Sequence, residues 1–204
     1  MPSLSVTAET LAATLWPVEK AGPATKRALR NLLLAVIGAQ LIWVTAKIQV
    51  PFHPVPMTMQ TFLVLGLGMA YGWRLGAATI LLYLAEGAMG LPVFAGTPEK
   101  GIGLAYIAGG TGGYLFGYLI AAAACGWLAE RGWDRNVITA ALAMLVGNVL
   151  IYIPGLLWLG ILFGWDKPIL EWGLMPFLLG DLAKLGLAAT LLPSAWKLVG
   201  RRRA

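Results

Sequence analysis

The chain has 204 residues, of which 59% are hydrophobic and 12% charged, and a net charge of +6. A water-soluble domain carries about 25% charged residues, so this composition and a mean hydropathy of +0.77 exclude one and leave an integral membrane protein. The basic excess does not point to nucleic acid, because it gathers at the ends of apolar runs, where membrane topology uses it.

Several uncharged runs reach the roughly 20 residues needed to span a bilayer as a helix, and no alternating strand pattern occurs. The expected fold is an all-α bundle of six transmembrane helices (residues 30–200), preceded by a cytoplasmic segment (1–29) and followed by a basic tail (201–204). Met1 is not followed by a basic region and an apolar core, so residues 1–29 do not read as a cleaved signal peptide. Leu11 to Val18 is expected to form a short interfacial helix with Trp16 at the headgroups. A basic cluster of Lys20, Lys26, Arg27 and Arg30 follows.

The first span is expected over about Asn31 to Ile48. It contains Ala35-Val36-Ile37-Gly38-Ala39, small residues that let helices approach closely in lipid. Residues 50–60 then hold three prolines within six positions, Pro51, Pro54 and Pro56, which remove donors and force extended backbone. Non-helical backbone near a membrane is tolerated where it lines a cavity or is buried in protein. A short second span, about Met59 to Tyr71, is followed by a third from about Leu75 to Met89, which carries Glu86. A Gly/Pro-rich loop runs from Gly90 to Gly101. Gly109-Gly110-Thr111-Gly112-Gly113-Tyr114 then opens a fourth span ending near Ala129; its glycines serve either helix packing or a tight loop.

A fifth span, Val137 to Phe163, has no charge, and Pro154-Gly155 is expected to kink or break it. The sixth, about Trp172 to Trp196, holds Asp181 and Lys184 near its middle. With six spans and a cytoplasmic N-terminus, eleven of the 15 Lys and Arg residues fall inside, three (Lys47, Lys100 and Lys167) fall outside, and Lys184 lies within the membrane. That asymmetry puts both termini in the cytoplasm and the loops 49–57 and 90–108 outside as lids.

Asp181 and Lys184, at i and i+3, share one helix face. Charges at bilayer depth are costly and turn toward partners. The pair is either a self-neutralising structural contact or a site for a ligand with both donors and an acceptor. Gln60 and Asn148 offer amides that either complete such a site or bond between helices. Tyr83, Tyr152 and Trp158 are candidates for packing a ligand, or plain packing residues. Lys100 is either a solvated charge or a partner for an anion, and Glu86 either pairs with Lys184 or binds a proton.

Other chemistries find no support in the residues. There is no Gly-x-x-x-x-Gly-Lys-Ser/Thr loop for ATP. The serines, Ser3, Ser5 and Ser194, are terminal, against a serine protease. Asp181 is the only aspartate within a span, against a two-aspartate protease. His53 has no second ligand nearby, so no metal is expected, and Cys125 has no cysteine to pair with. The remaining alternatives are a membrane enzyme or assembly protein built on Asp181/Lys184.

Four stretches together resemble one family. Val50-Pro51-Phe52-His53-Pro54-Val55-Pro56-Met57-Thr58-Met59-Gln60-Thr61 is similar to the first-loop motif of the BioY family, the biotin-specific S-components of energy-coupling-factor transporters. Gly90-Leu91-Pro92-Val93-Phe94-Ala95-Gly96 resembles its third-loop motif. Gly109-Gly110-Thr111-Gly112-Gly113-Tyr114-Leu115 resembles its Gly-Pro-Thr-Gly-Gly-Tyr-Leu, with Gly110 in place of proline. Gly180-Asp181-Leu182-Ala183-Lys184 resembles its Gly-Asp-x-x-Lys.

The resemblance implies a six-helix membrane subunit that captures biotin from outside, without enzymatic activity or cofactor. It also implies docking on a transmembrane coupling protein with cytoplasmic ATPases, a module some members dispense with. Ala35 and Ala39 match the docking motif. With biotin as ligand, Asp181 would accept from a ureido N–H and Lys184 would donate to the ureido oxygen. Gln60, Asn148 and Tyr152 would complete the site, and Lys100 would meet the valerate carboxylate.

Overall fold

The computed structural model describes residues 9–18 and 23–203, with side chains as far as residue 199. Lys20, Ala204 and the side chains of Arg201, Arg202 and Arg203 lie outside the described residues. The chain is helical almost throughout: α1 (Leu11–Leu15), α2 (Ala24–Ala46), α3 (Gln60–Tyr71), α4 (Trp73–Ala88), α5 (Gly103–Ile107), α6 (Gly112–Ala129), α7 (Val137–Phe163), α8 (Ile169–Gly173) and α9 (Leu178–Arg203). Two-residue strands β1 (Gln49–Val50) and β2 (Met57–Thr58) pair antiparallel, Gln49 opposite Thr58. They pinch off the proline-rich loop 51–56, whose prolines cannot join a ladder.

Among the described residues four stretches are long and apolar enough to cross a membrane: Ala24–Lys47, Gly112–Ala129, Val137–Phe163 and Ile169–Val199. At 12 and 16 residues, α3 and α4 reach only about 18 and 24 Å. The outer surface is apolar, with Leu32, Leu104, Ile161 and Leu179 well exposed. Polar groups lie inside instead: Gln60, Thr79, Asn148, Asp181 and Lys184 are buried. That inversion is what a lipid solvent selects.

α6 is the centre of the bundle, packing on α3, α4 and α7. Its glycines serve packing: a Cβ on Gly113 would stand 2.3 Å from the Pro154 carbonyl oxygen of α7, and none of residues 109–113 has a positive φ. Asn136 caps α7, its side chain accepting from Ile138 N at 2.8 Å, which satisfies one of the unpaired amides at a helix start. Far along the chain, Trp196 Nε1 donates to Asp134 Oδ2 at 2.5 Å and fastens α9 to the connector before α7.

Four expectations need correction. Of the two outcomes expected at Pro154, a kink or a break, the break does not occur, since α7 is continuous; a membrane helix tolerates an internal proline where neighbouring helices re-satisfy or shield the freed carbonyl, and α6 is in contact there. Helix α1 stops at Leu15, short of the expected Val18, and Leu11, Ala12 and Thr14 are buried against α3 and α9. Helix α2 begins at Ala24, so the expected boundary at residue 30 falls inside it. Its small-residue face packs within the chain: Ala39 is fully buried, Ala35 nearly so, and a Cβ on Gly38 would lie 2.7 Å from Thr79 Cγ2.

Candidate functional site

Asp181 stands in the first turn of α9, where the helix N-terminus favours a carboxylate. Within the apolar stretch Ile169–Val199, Asp181 and Lys184 nevertheless lie near the middle, as expected. The short helix α8 and the 3-10 turn Met175–Phe177 take up the residues before Asp181. Three donors converge on this carboxylate. Lys184 Nζ donates to Oδ1 at 3.1 Å, and Thr61 Oγ1 of α3 points at the same oxygen at 3.5 Å. Tyr152 OH of α7 donates to Oδ2. Lys184 Nζ also donates to Thr61 Oγ1 at 3.0 Å. Side chains from three helices thus meet on one ion pair that is 8–9% exposed.

The pair lines a cavity of ≈ 50 Å³. Val55, Pro56 and Met57 of the first loop and Ala95 of the second close it; Thr58, Gln60, Thr61, Tyr106, Thr111, Tyr114, Tyr118 and Phe177 complete the wall. An aromatic group adjoins the carboxylate: Tyr114 meets Tyr152 edge-to-face at 6.2 Å, and Phe177 lies 6.5 Å from Tyr152 and 6.2 Å from Phe52. Apolar ring and methylene groups are held well by such walls.

Hydrogen-bond capacity can be counted. A carboxylate offers about four lone-pair sites and an ammonium three N–H donors. Among the described residues, three of the former and two of the latter are engaged. What remains on the pair is one acceptor and one donor. Gln60 contributes further: Nε2 donates to Tyr83 OH at 2.7 Å and Oε1 accepts from Thr58 Oγ1 at 3.3 Å, leaving one amide N–H.

The second loop is fastened down. Lys47 Nζ reaches the carbonyl oxygens of Pro92, Phe94 and Thr97 at 2.8–3.1 Å and Thr97 Oγ1 at 3.1 Å. Tyr83 OH donates to Val93 O at 3.1 Å, and Tyr106 OH to Ala95 O at 2.7 Å. Phe94 stacks on Tyr106 at 4.8 Å and fills the space a Cβ on Gly87 would need.

Of the residues expected at the site, Asp181, Lys184, Gln60 and Tyr152 are brought together on this cavity. Asn148 is buried in α7 but is not part of the wall. Lys100 is exposed and also stands outside it; Lys47, nearer the bundle, is the cation that engages its loop. Glu86 does not pair with Lys184. Its Oε1 accepts from Gln40 Nε2 at 3.0 Å, and its enclosed Oε2 has no partner among the described residues. Tyr83 is fully buried behind Gln60, and Trp158 Nε1 donates to Gly109 O at 2.8 Å.

Sequence reasoning passed over Thr61, Tyr106, Thr111, Tyr114, Tyr118 and Phe177. A signal existed for two of them: Tyr114 and Tyr118, at i and i+4, place two phenols on one face of an apolar helix.

Residues 17–201 match the BioY family. Among curated proteins, the chain is 37% identical over 171 residues to a probable biotin transporter BioY of Pyrococcus horikoshii, covering 84% of this chain and 97% of that one. It is 36% identical over 163 residues to the biotin transporter BioY of Thermotoga maritima, covering 80% and 94%. Among solved structures, the S-component for biotin from an ECF-type ABC transporter superposes with a TM-score of 0.72 at 23% identity, over 86% of this chain and 95% of that one. That likeness is one of fold.

Proposed function

The chain belongs to the BioY family, and on that premise we propose that the cavity above Asp181 and Lys184 is where it holds biotin. Its task is biotin uptake across the membrane as an S-component, and it is not an enzyme. The observation that carries the site reading is the buried pair Lys184–Asp181, 3.1 Å apart, which lines the cavity with one donor and one acceptor unused. A cyclic urea carries an N–H next to a C=O and matches those two valences. Asp181 accepts from the N–H, Lys184 donates to the oxygen, and both bonds are charge-assisted. Gln60 offers a further amide, while Tyr152 orients the carboxylate and faces the apolar ring.

At ≈ 50 Å³ the cavity is well below the roughly 300 Å³ or more of a small-molecule pocket, so capture requires a wall to move. We read α3 and α4 as spans as well, giving six, with both termini cytoplasmic and loops 49–57 and 90–108 outside as lids. The partners of this reading are a transmembrane coupling protein and its ATPases. Ala35, though mostly buried, lies at the floor of a surface groove with Leu32, Ala78 and Leu82, and that groove is the part of the α2 face we assign to such a partner. Ala39 is occupied within the chain.

The test is equilibrium titration of labelled biotin into the detergent-purified chain. Tight, saturable binding with slowed hydrogen exchange in the lids is expected. Absence of saturable binding overturns the site.

A further inference from the structure

Thr61 is the second residue of α3. Threonines deeper in this protein's helices turn their hydroxyls back onto their own backbone: Thr79 donates to Leu75 O at 2.8 Å and Thr45 to Leu41 O at 3.1 Å. At the first turn no helical carbonyl lies four residues back, so the hydroxyl of Thr61 is released from that local bond. It is spent on α9 instead, 120 positions away, accepting from Lys184 Nζ at 3.0 Å and pointing at Asp181 Oδ1 at 3.5 Å.

An Asp and a Lys at i and i+3 in a dry site tend to satisfy each other, because little else competes for them. Here the pair meets at one oxygen, 3.1 Å away, and the Thr61 hydroxyl takes a second ammonium N–H. We propose that Thr61 is a positioning residue that fixes Lys184 Nζ between its own hydroxyl and Asp181 Oδ1, so that the third N–H is held in one place for the ureido oxygen. This inference rests on the biotin reading and deepens it. Thr61 acts through Lys184, and the hydroxyl, not the bulk of the side chain, carries the effect.

The experiment compares biotin with 2-iminobiotin, in which the ureido oxygen is replaced by a nitrogen, on purified wild type, Thr61→Val and Thr61→Ser. Valine keeps the shape and deletes the hydroxyl; Thr61→Ala, which adds no bulk, serves if valine does not fold. Val is expected to weaken biotin about tenfold, the loss of one well-aimed charged hydrogen bond. It should also narrow the preference for biotin over iminobiotin, because a Lys184 no longer fixed by Thr61 does not keep its third N–H on the oxygen. Ser should restore both to within about threefold of wild type. A looser cavity would instead weaken both ligands alike. Wild-type affinity and preference in the valine variant overturn the inference, as does a serine variant as impaired as valine. Failure of wild type to bind biotin removes the biotin reading itself, and this inference with it.

Discussion

Asp181 and Glu86 are both carboxylates within apolar helices, and they are wired differently. Donors from α3, α7 and α9 surround Asp181, a lysine among them, and the group faces a cavity. Glu86 has one partner, the Gln40 amide of α2, with its second oxygen enclosed and bare. No cation accompanies it: the ion pairs of the described residues are Lys184–Asp181 and Lys167–Asp166. A carboxylate held by several helices and a lysine is fixed in position, and under the proposed reading its unused valences serve the ligand. One held by a single amide ties two helices together and brings no lysine with it. An intramembrane charge is thus a pointer to function only together with the groups that surround it.

The comparison is sharpened most by removing the first pair. Asp181→Leu/Lys184→Met should stay folded, since buried ion pairs often exchange for apolar packing without net loss. It should lose biotin by about 2–5 kcal/mol, or roughly 30-fold to several-thousand-fold. Titration of a monodisperse preparation reads this, and wild-type affinity there would move the site away from α9.

Asp181→Asn comes next. The amide keeps the shape and one acceptor but replaces charged bonds with neutral ones, for a loss of about tenfold. An effect as large as that of the double variant would mean that charge alone, and not the pattern of acceptors, holds the ligand.

Glu86→Gln should do least. Glutamine preserves a carbonyl for the Gln40 amide, so biotin affinity should stay within about twofold and stability within about 1 kcal/mol. A loss matching that of Asp181→Asn would break the distinction between the two carboxylates and bring Glu86 into the binding mechanism.

Much of the membrane architecture was legible in the sequence because lipid imposes it residue by residue. Uncharged length reports α2, α6 and α7, three prolines report the irregular loop 51–56, and i, i+3 spacing reports that Asp181 and Lys184 share a face. The same local logic misled at Pro154: a proline that breaks an isolated helix is accommodated where α6 packs against α7. It misled again at Ala39, because a small residue signals close approach without saying to whom; here the partners are the chain's own helices.

What the sequence by itself determined was that Gln60, Asn148, Asp181 and Lys184 turn inward, since a polar group in an apolar run seeks a partner away from lipid. Which partner each found was decided by the tertiary structure. Thr61 lies 123 positions from Lys184, and Gln40 lies 46 from Glu86; no periodicity relates residues so far apart. Crossing of α3, α7 and α9 brings a hydroxyl, a phenol and an ion pair to one cavity, and parts Asn148 and Lys100 from it. Hydrogen bonds reach about 3 Å, so a site exists only where the packed backbone delivers its groups to within that distance.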